Sequence, residues 1–266
     1  CGGEAIVINN QWGTQTDLNT VEDLLAKHPD IKVLAFVHAE TSTGVRNDAK
    51  ALCELANKYQ CLTIVDAVTS LGGIELKVDD WGIDAIYSGS QKCLSCVPGI
   101  SPVSFSDRAV SLIQNRKTKV QSWFLDMNLI VGYWGSGAKR AYHHTAPVNS
   151  MYAMYESLLM LREEGLENAW QRHQRGHEAL AQGLEALNLT LAVDKNYRLP
   201  QLNVVEIPSG VNDADVRQRL LNEFNLEIGA GLGEFAGKVW RIGLMGYACK
   251  PRNIDHCLAA LKQVLK

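Results

Sequence analysis

The feature that most limits the fold of this chain is the recurrence, through its first half, of short Val, Ile and Leu runs between amphipathic stretches of helical length. A strand covered by helices on both faces has no polar side to show, so a parallel sheet leaves this pattern. The spacing predicts strands over residues 4–8, 32–38, 62–66, 85–88 and 102–106, with helices over 18–27 and 48–59 between them. Asp17 and Asn19 supply a cap for the first helix, and Pro29 cannot continue it.

After Ser150 the pattern changes. Met151, Met154, Leu158 and Leu161 follow helical spacing over 150–163, and Gly165 suits a helix end. A second helix is expected over 166–187, then a strand over 202–207, a helix over 213–224, a strand over 239–244 and a closing helix over 254–265. The expected organisation is α/β: a large domain over residues 1–164 with a mainly parallel sheet and flanking helices, and a small C-terminal α+β domain over 165–266.

Composition removes several functions. Net charge is −3, with 26 basic and 29 acidic residues interspersed, so the basic footprint that neutralises nucleic-acid phosphates is missing. No apolar run approaches the roughly 20 residues that span a bilayer. No charged-then-apolar leader is visible, and a soluble, cytoplasmic protein without membrane or nucleic-acid partners is expected. Seven scattered cysteines suit a reducing compartment better than a disulfide framework. Cys93 and Cys96 form a C-x-x-C without a second pair, which favours packing over redox or metal chemistry. His173 and His177 have helical i,i+4 spacing but no third ligand nearby, so no metal is expected there.

Two strand ends carry candidate chemistry. Asp66 closes the run Leu62-Thr63-Ile64-Val65-Asp66, and the carboxyl end of a parallel strand is where such sheets bind ligands. One strand later, Tyr87-Ser88-Gly89-Ser90-Gln91-Lys92 delivers a lysine among small and polar residues. A lysine partly withdrawn from water is a candidate imine-forming nucleophile. Pyridoxal phosphate needs this pair: an amine at its aldehyde and a carboxylate at its ring nitrogen. Spacing alone leaves a surface lysine and a capping aspartate equally open.

Longer strings narrow the choice. His38-Ala39-Glu40-Thr41-Ser42-Thr43-Gly44, Val65-Asp66-Ala67-Val68-Thr69-Ser70-Leu71-Gly72-Gly73, Ser88-Gly89-Ser90-Gln91-Lys92 and Tyr142-His143-His144-Thr145 resemble, in order, the class V aminotransferases. Gly231-Leu232-Gly233 and Arg241-Ile242-Gly243-Leu244 extend the resemblance to the C-terminal part. Among these enzymes it is strongest to the alanine–glyoxylate and serine–pyruvate members. The resemblance implies the type I fold of pyridoxal-phosphate enzymes and transamination of alanine or serine with glyoxylate or pyruvate. It implies that Lys92 carries the cofactor as an imine and moves the substrate proton, and that Asp66 pairs with the pyridine nitrogen. Thr41 would then bond near the ring hydroxyl and Gln91 would help hold the phosphate. Tyr142 and Thr145 would reach the phosphate in the neighbouring subunit of a homodimer, and Arg241 would grip the substrate α-carboxylate.

Chains of that family run further at the amino end, in a segment that carries the phosphate loop and a ring-stacking aromatic. By themselves these 266 residues are therefore expected to bind cofactor weakly and to leave apolar surface open. Rival expectations are a 2-aminoethylphosphonate-type transaminase, a cysteine desulfurase-like lyase and an inactive remnant that only folds or dimerises. Gln91 stands where the desulfurases carry a histidine, and Cys93 follows Lys92 directly rather than lying on a distant mobile loop.

Overall fold

A computed structural model describes residues 2–134 and 142–266. Helix α1 (Leu18–Lys27) starts where the Asp17 carboxylate accepts from the Asn19 and Thr20 N–H groups, which otherwise have no partner within the helix. Strand β1 (Val33–Val37) follows, then a short antiparallel hairpin, β2 (Ala39–Glu40) and β3 (Val45–Arg46), and helix α2 (Ala49–Lys58), capped by Asp48. Strands β4 (Leu62–Asp66), β5 (Ala85–Tyr87) and β6 (Val103–Phe105) complete a sheet ordered β1-β4-β5-β6. The first three strands are parallel and β6 is antiparallel. The α/β class and the mainly parallel sheet match the expectation.

One face of this sheet is covered. Val65 and Ile86 pack with Cys53 of α2 and with Ile83, while Val21 and Leu25 of α1 meet Leu52 and Ala56 of α2. On the other face Val33, Ile64, Tyr87 and Val103 are 40–42% exposed, so in these 266 residues the sheet is sheltered on one side only. The strand expected over 4–8 is absent. Those residues have no pairing partner, Ile6 and Val7 face solvent, and only Ile8 packs, against the α1–α2 cluster. Apolar composition without a neighbouring edge cannot make a strand.

Helices α3 (Asp107–Gln114) and α4 (Met127–Trp134) follow β6. Both are short, and neither was expected. Beyond them α5 (Val148–Glu164) and α6 (Leu166–Ala186) run as the periodicity predicts, broken at Gly165 in the left-handed region with φ of 86°. Strand β7 (Leu202–Glu206), helix α7 (Asp213–Phe224), strands β8 (Gly229–Ala230) and β9 (Val239–Gly243) and helix α8 (Pro251–Val264) close the chain. The second sheet is ordered β7-β9-β8 and is antiparallel. Leu180, Leu184, Leu220, Trp240 and Leu261 form its core with almost no solvent contact. Among the described residues no helix is long and apolar enough to cross a membrane. Cys1 lies outside the described residues, and the other six cysteines are free thiols.

The register of the first sheet is pinned at Asp84, just before β5. Its carboxylate accepts from the Thr63 N–H at 2.9 Å, the Ser106 hydroxyl at 2.8 Å and the Arg108 Nε at 2.9 Å. Thr63 Oγ1 in return accepts from the Asp84 N–H at 2.8 Å. Burial opposes ionisation here, but bonds from Arg108, Thr63 and Ser106 outweigh it and hold the carboxyl below its usual value. Asp84→Asn therefore removes stability at neutral pH. The exposed half of Arg108 discounts the full cost of breaking a buried pair, leaving about 2 kcal/mol. A depressed folded-state pKa gives stability that is present above the unfolded carboxylate range and lost as pH falls through the folded value. Urea unfolding should show the wild-type advantage at pH 7 and its shrinkage below roughly pH 4.

Candidate active site

The parallel pairing of β4 with β5 sets Asp66 opposite Tyr87, with Val37 of β1 on the other side of Asp66. Asp66 is thus the last residue of a central strand, at the carboxyl edge where the next residues turn away. Its side chain is half-buried and held at both oxygens. Oδ1 accepts from the Val68 N–H at 2.9 Å, and Oδ2 accepts from the Tyr87 hydroxyl at 2.8 Å. Each oxygen keeps lone-pair capacity for one more donor.

The loop after β5 folds back over the turn after β4. Ser88 Oγ donates to the Ala67 carbonyl at 2.9 Å, and Cys93 Sγ donates to the Thr69 carbonyl at 3.4 Å. Gly73 is small out of necessity, because a Cβ there would meet Cys93 Sγ at 2.6 Å and the Gln201 amide at 3.2 Å. Within the loop Ser90 Oγ donates to Val97 O at 2.6 Å, and the Ser95 N–H closes a turn on Lys92 O at 3.0 Å. Lys92 is half-buried, and its amine forms no hydrogen bond or ion pair with a described residue. Gln91 is exposed beside it. Cys93 is a packing residue: burial pushes its thiol up to about 12, which keeps it protonated and inert.

Thr41 and Arg241 meet although 200 positions separate them. Thr41 sits at the tip of the β2–β3 hairpin, and its carbonyl accepts from Arg241 Nη1 at 3.0 Å. Arg241 lies mid-strand in β9 and also donates from Nε to Ala230 O at 2.7 Å. Its Nη2 has no hydrogen-bond partner among the described residues. The hairpin is sewn to the second half by the Leu199 N–H to Gly44 O bond, at 3.0 Å, and Gln201 donates to Thr69 O at 2.9 Å. Gln201 was not singled out from sequence, because a polar residue with 0% exposure looks like any loop glutamine until its partners are seen.

Tyr142 and Thr145 hydrogen-bond each other through their hydroxyls, and Tyr142 is 71% exposed. They sit in an aromatic cluster in which Trp123 stacks on His143 at 4.0 Å between centroids. No hydrogen bond joins this pair to Asp66, Lys92, Thr41 or Arg241. His173 and His177 are occupied by protein partners: His173 bridges Ala169 O and the Gly246 N–H, and His177 bonds Asn203. Trp240 is core, and its Nε1 donates to Asp213 at 3.0 Å. The Gly231-Leu232-Gly233 string is a turn, and Gly233 has φ of 49° with the Trp12 ring where a Cβ would stand.

The donor set suits pyridoxal phosphate. It offers an oriented carboxylate with spare lone pairs, an amine on the loop after the neighbouring strand, an exposed amide beside that amine, and a guanidinium, the amine and one NH2 edge of the guanidinium having no partner among the described residues. These are the groups that a cationic ring nitrogen, an aldehyde, a phosphate and a substrate carboxylate each require.

Comparison with known proteins agrees. The family model described as aminotransferase class-V matches residues 1–249. The chain is 43% identical over 256 residues to an alanine–glyoxylate aminotransferase of Rattus norvegicus, covering 96% of this chain and 62% of that protein. It is 37% identical to a (S)-ureidoglycine–glyoxylate transaminase of Bacillus subtilis, covering 99% of this chain and 67% of that one. The crystal structure of an alanine–glyoxylate aminotransferase from Nostoc sp. superposes with a TM-score of 0.94 at 50% identity, over 97% of this chain and 68% of that one. The chain spans about three-fifths of the rat relative. With most of its length matched by the family model and its site strings in order, the chain belongs to the class-V aminotransferases.

Proposed function

We propose that this protein transfers an amino group from a small amino acid to a 2-oxo acid with pyridoxal phosphate held by Lys92. The observation that supports this is the parallel pairing of β4 with β5, which ends in Asp66 at the edge from which the loop bearing Lys92 departs; the Lys92 amine has no hydrogen bond or ion pair to a described residue. Bound there, the cofactor supplies a ring that draws electrons from the substrate's Cα–H bond. Asp66 holds a proton at the ring nitrogen. Lys92 would hold the cofactor through its amine and would act as the general base and acid for the Cα proton. Thr41 would bond near the ring hydroxyl, and the Gln91 amide would help hold the phosphate. Arg241 takes the substrate carboxylate with its free edge, since its other nitrogens are held by Thr41 O and Ala230 O and the guanidinium is already oriented.

The rat and Bacillus relatives differ in the donor that their names give and share glyoxylate. Glyoxylate is therefore the acceptor best supported, with alanine or serine as donor and pyruvate as the alternative acceptor. Residues 1–164 act as the cofactor domain and 165–266 as the small domain. The exposed Tyr142–Thr145 pair suits a homodimer in which each pair bonds the phosphate held by the other subunit. Six free thiols support a reducing, cytoplasmic setting.

Borohydride reduction after incubation with pyridoxal phosphate, followed by peptide mapping, tests the assignment. The label should sit on Lys92 and vanish in Lys92→Ala while far-ultraviolet dichroism stays unchanged; label on another lysine instead would remove Lys92 from the role. Asp66→Asn should still bind cofactor but slow proton abstraction on the order of 100-fold or more in single-turnover kinetics, because a neutral amide does not hold the ring-nitrogen proton. Arg241→Lys should raise the apparent amino-acid dissociation constant by roughly tenfold or more with little change for the cofactor, since an ammonium cannot make a two-point carboxylate contact. Equal loss of both affinities would place Arg241 in holding the hairpin instead.

A further inference from the structure

Tyr87 is the one residue whose side chain donates to the Asp66 carboxylate among the described hydrogen bonds. The two are cross-strand partners in the β4–β5 ladder, so their side chains leave the sheet on the same, open face. Within these 266 residues Tyr87 is 41% exposed, and neighbouring Ile64 and Val103 on that face are equally open. What it does have is a 2.8 Å bond to Oδ2, opposite the Val68 N–H bond of 2.9 Å to Oδ1. Rotation of the carboxylate about its bond to Cβ would break both at once. One lone pair on each oxygen is left over, in a fixed direction.

We infer that Tyr87 is a positioning residue for Asp66, whose hydroxyl sets the carboxylate in the orientation that receives the protonated ring nitrogen of pyridoxal phosphate. The inference rests on the assignment of Asp66 and Lys92 above. It follows from the cost of disorder: an acceptor already fixed at its angle loses no rotational freedom when the ring arrives, whereas a carboxylate held at one oxygen does. Burial and the adjacent Asp66 charge push the Tyr87 phenol up to about 12, so it stays protonated and remains a donor across the range in which such an enzyme works. Tyrosine suits the task for a geometric reason as well. Its hydroxyl lies far enough from the backbone to reach across one strand spacing, about 4.8 Å, to a partner at the same level of the ladder.

The test uses the 266-residue chain and the variants Tyr87→Phe and Lys92→Ala. Pyridoxal phosphate is titrated into each, samples are reduced with borohydride, and the Lys92 peptide is quantified by mass spectrometry. Visible circular dichroism in the cofactor band reports ring orientation. Tyr87→Phe, which removes only the hydroxyl, should raise the half-saturating cofactor concentration about tenfold, equal to about 1.4 kcal/mol, and weaken the induced dichroism at saturation. The unfolding midpoint of the cofactor-free chain should not move. Unchanged affinity and dichroism in Tyr87→Phe, with Lys92 labelled in wild type, would overturn the role of Tyr87 and leave the cofactor assignment standing. A fall in the cofactor-free unfolding midpoint that accounts for the lost affinity would make Tyr87 structural and also overturn it. Absence of Lys92 label in wild type at saturating cofactor would overturn the cofactor assignment and this inference together.

Discussion

The site of this chain depends on the parallel ladder between β4 and β5. Parallel pairing brings two carboxyl ends to the same edge, and the register Asp66 opposite Tyr87 decides what stands there. A slip of one residue would turn Asp66 to the covered face and bury a carboxylate among Cys53, Ile83 and Ile86. The sequence guards against this at the far end of the same strands. Asp84 and Thr63 exchange hydrogen bonds across β4 and β5, and Arg108 and Ser106 extend the lock to β6 and the start of α3. Polar groups on the covered side thus hold in place the Asp66 carboxylate on the open side.

Much of this was legible beforehand. Asp66 could be placed at a strand end, and Lys92 just beyond the next strand, because strand ends are marked by where apolar runs stop, and that needs no knowledge of pairing. The long helices α5 and α6 were readable because sustained 3.6-residue periodicity has no competing explanation. The failures share a cause. Residues 4–8 have strand composition, but a strand exists only when another edge accepts it, and none does here. Hairpin β2–β3 and strand β8 span two residues each, too short for any period to register. Tyr87 went unnoticed as a partner of Asp66 because the bond depends on register between segments 21 positions apart. The alternation within each strand says which face a side chain takes and nothing about its neighbour across the ladder.

The two halves of the chain are joined by a few contacts that converge on the same loops. Thr69 O accepts from both Gln201 and Cys93, so the turn after β4 holds the Lys92 loop and the approach to β7 at one point. Ser95 Oγ accepts from the Tyr247 N–H at 2.7 Å, while Arg172 donates to Gly246 O at 2.7 Å and His173 accepts from the Gly246 N–H at 2.9 Å. The loop that presents Lys92 is therefore tied through Ser95 to the segment after β9, as well as through Cys93 to the turn after β4. The buried ones among these bonds, at Thr69 O and at His173, are costly to break singly, and this gives loops with little regular structure a fixed shape.

Rigidity of that kind bears directly on how the proposed chemistry divides between the halves. Arg241 belongs to β9, yet its guanidinium is oriented by a carbonyl of the β2–β3 hairpin, which belongs to the first sheet's half. A substrate carboxylate bound by the free edge of Arg241 would thus be referenced to the same framework as Asp66 and Lys92, and not to a separately moving part. Positioning within a few tenths of an ångström is what separates a proton transfer from mere proximity. In this chain hydrogen bonds cross from one half to the other at Thr41, Thr69, Ser95 and Gly44, each to a main-chain carbonyl or a hydroxyl whose own position is set by a turn. Main-chain acceptors hold their place whatever side chain the residue carries, so side chains at the site can vary while the frame that aims them stays the same.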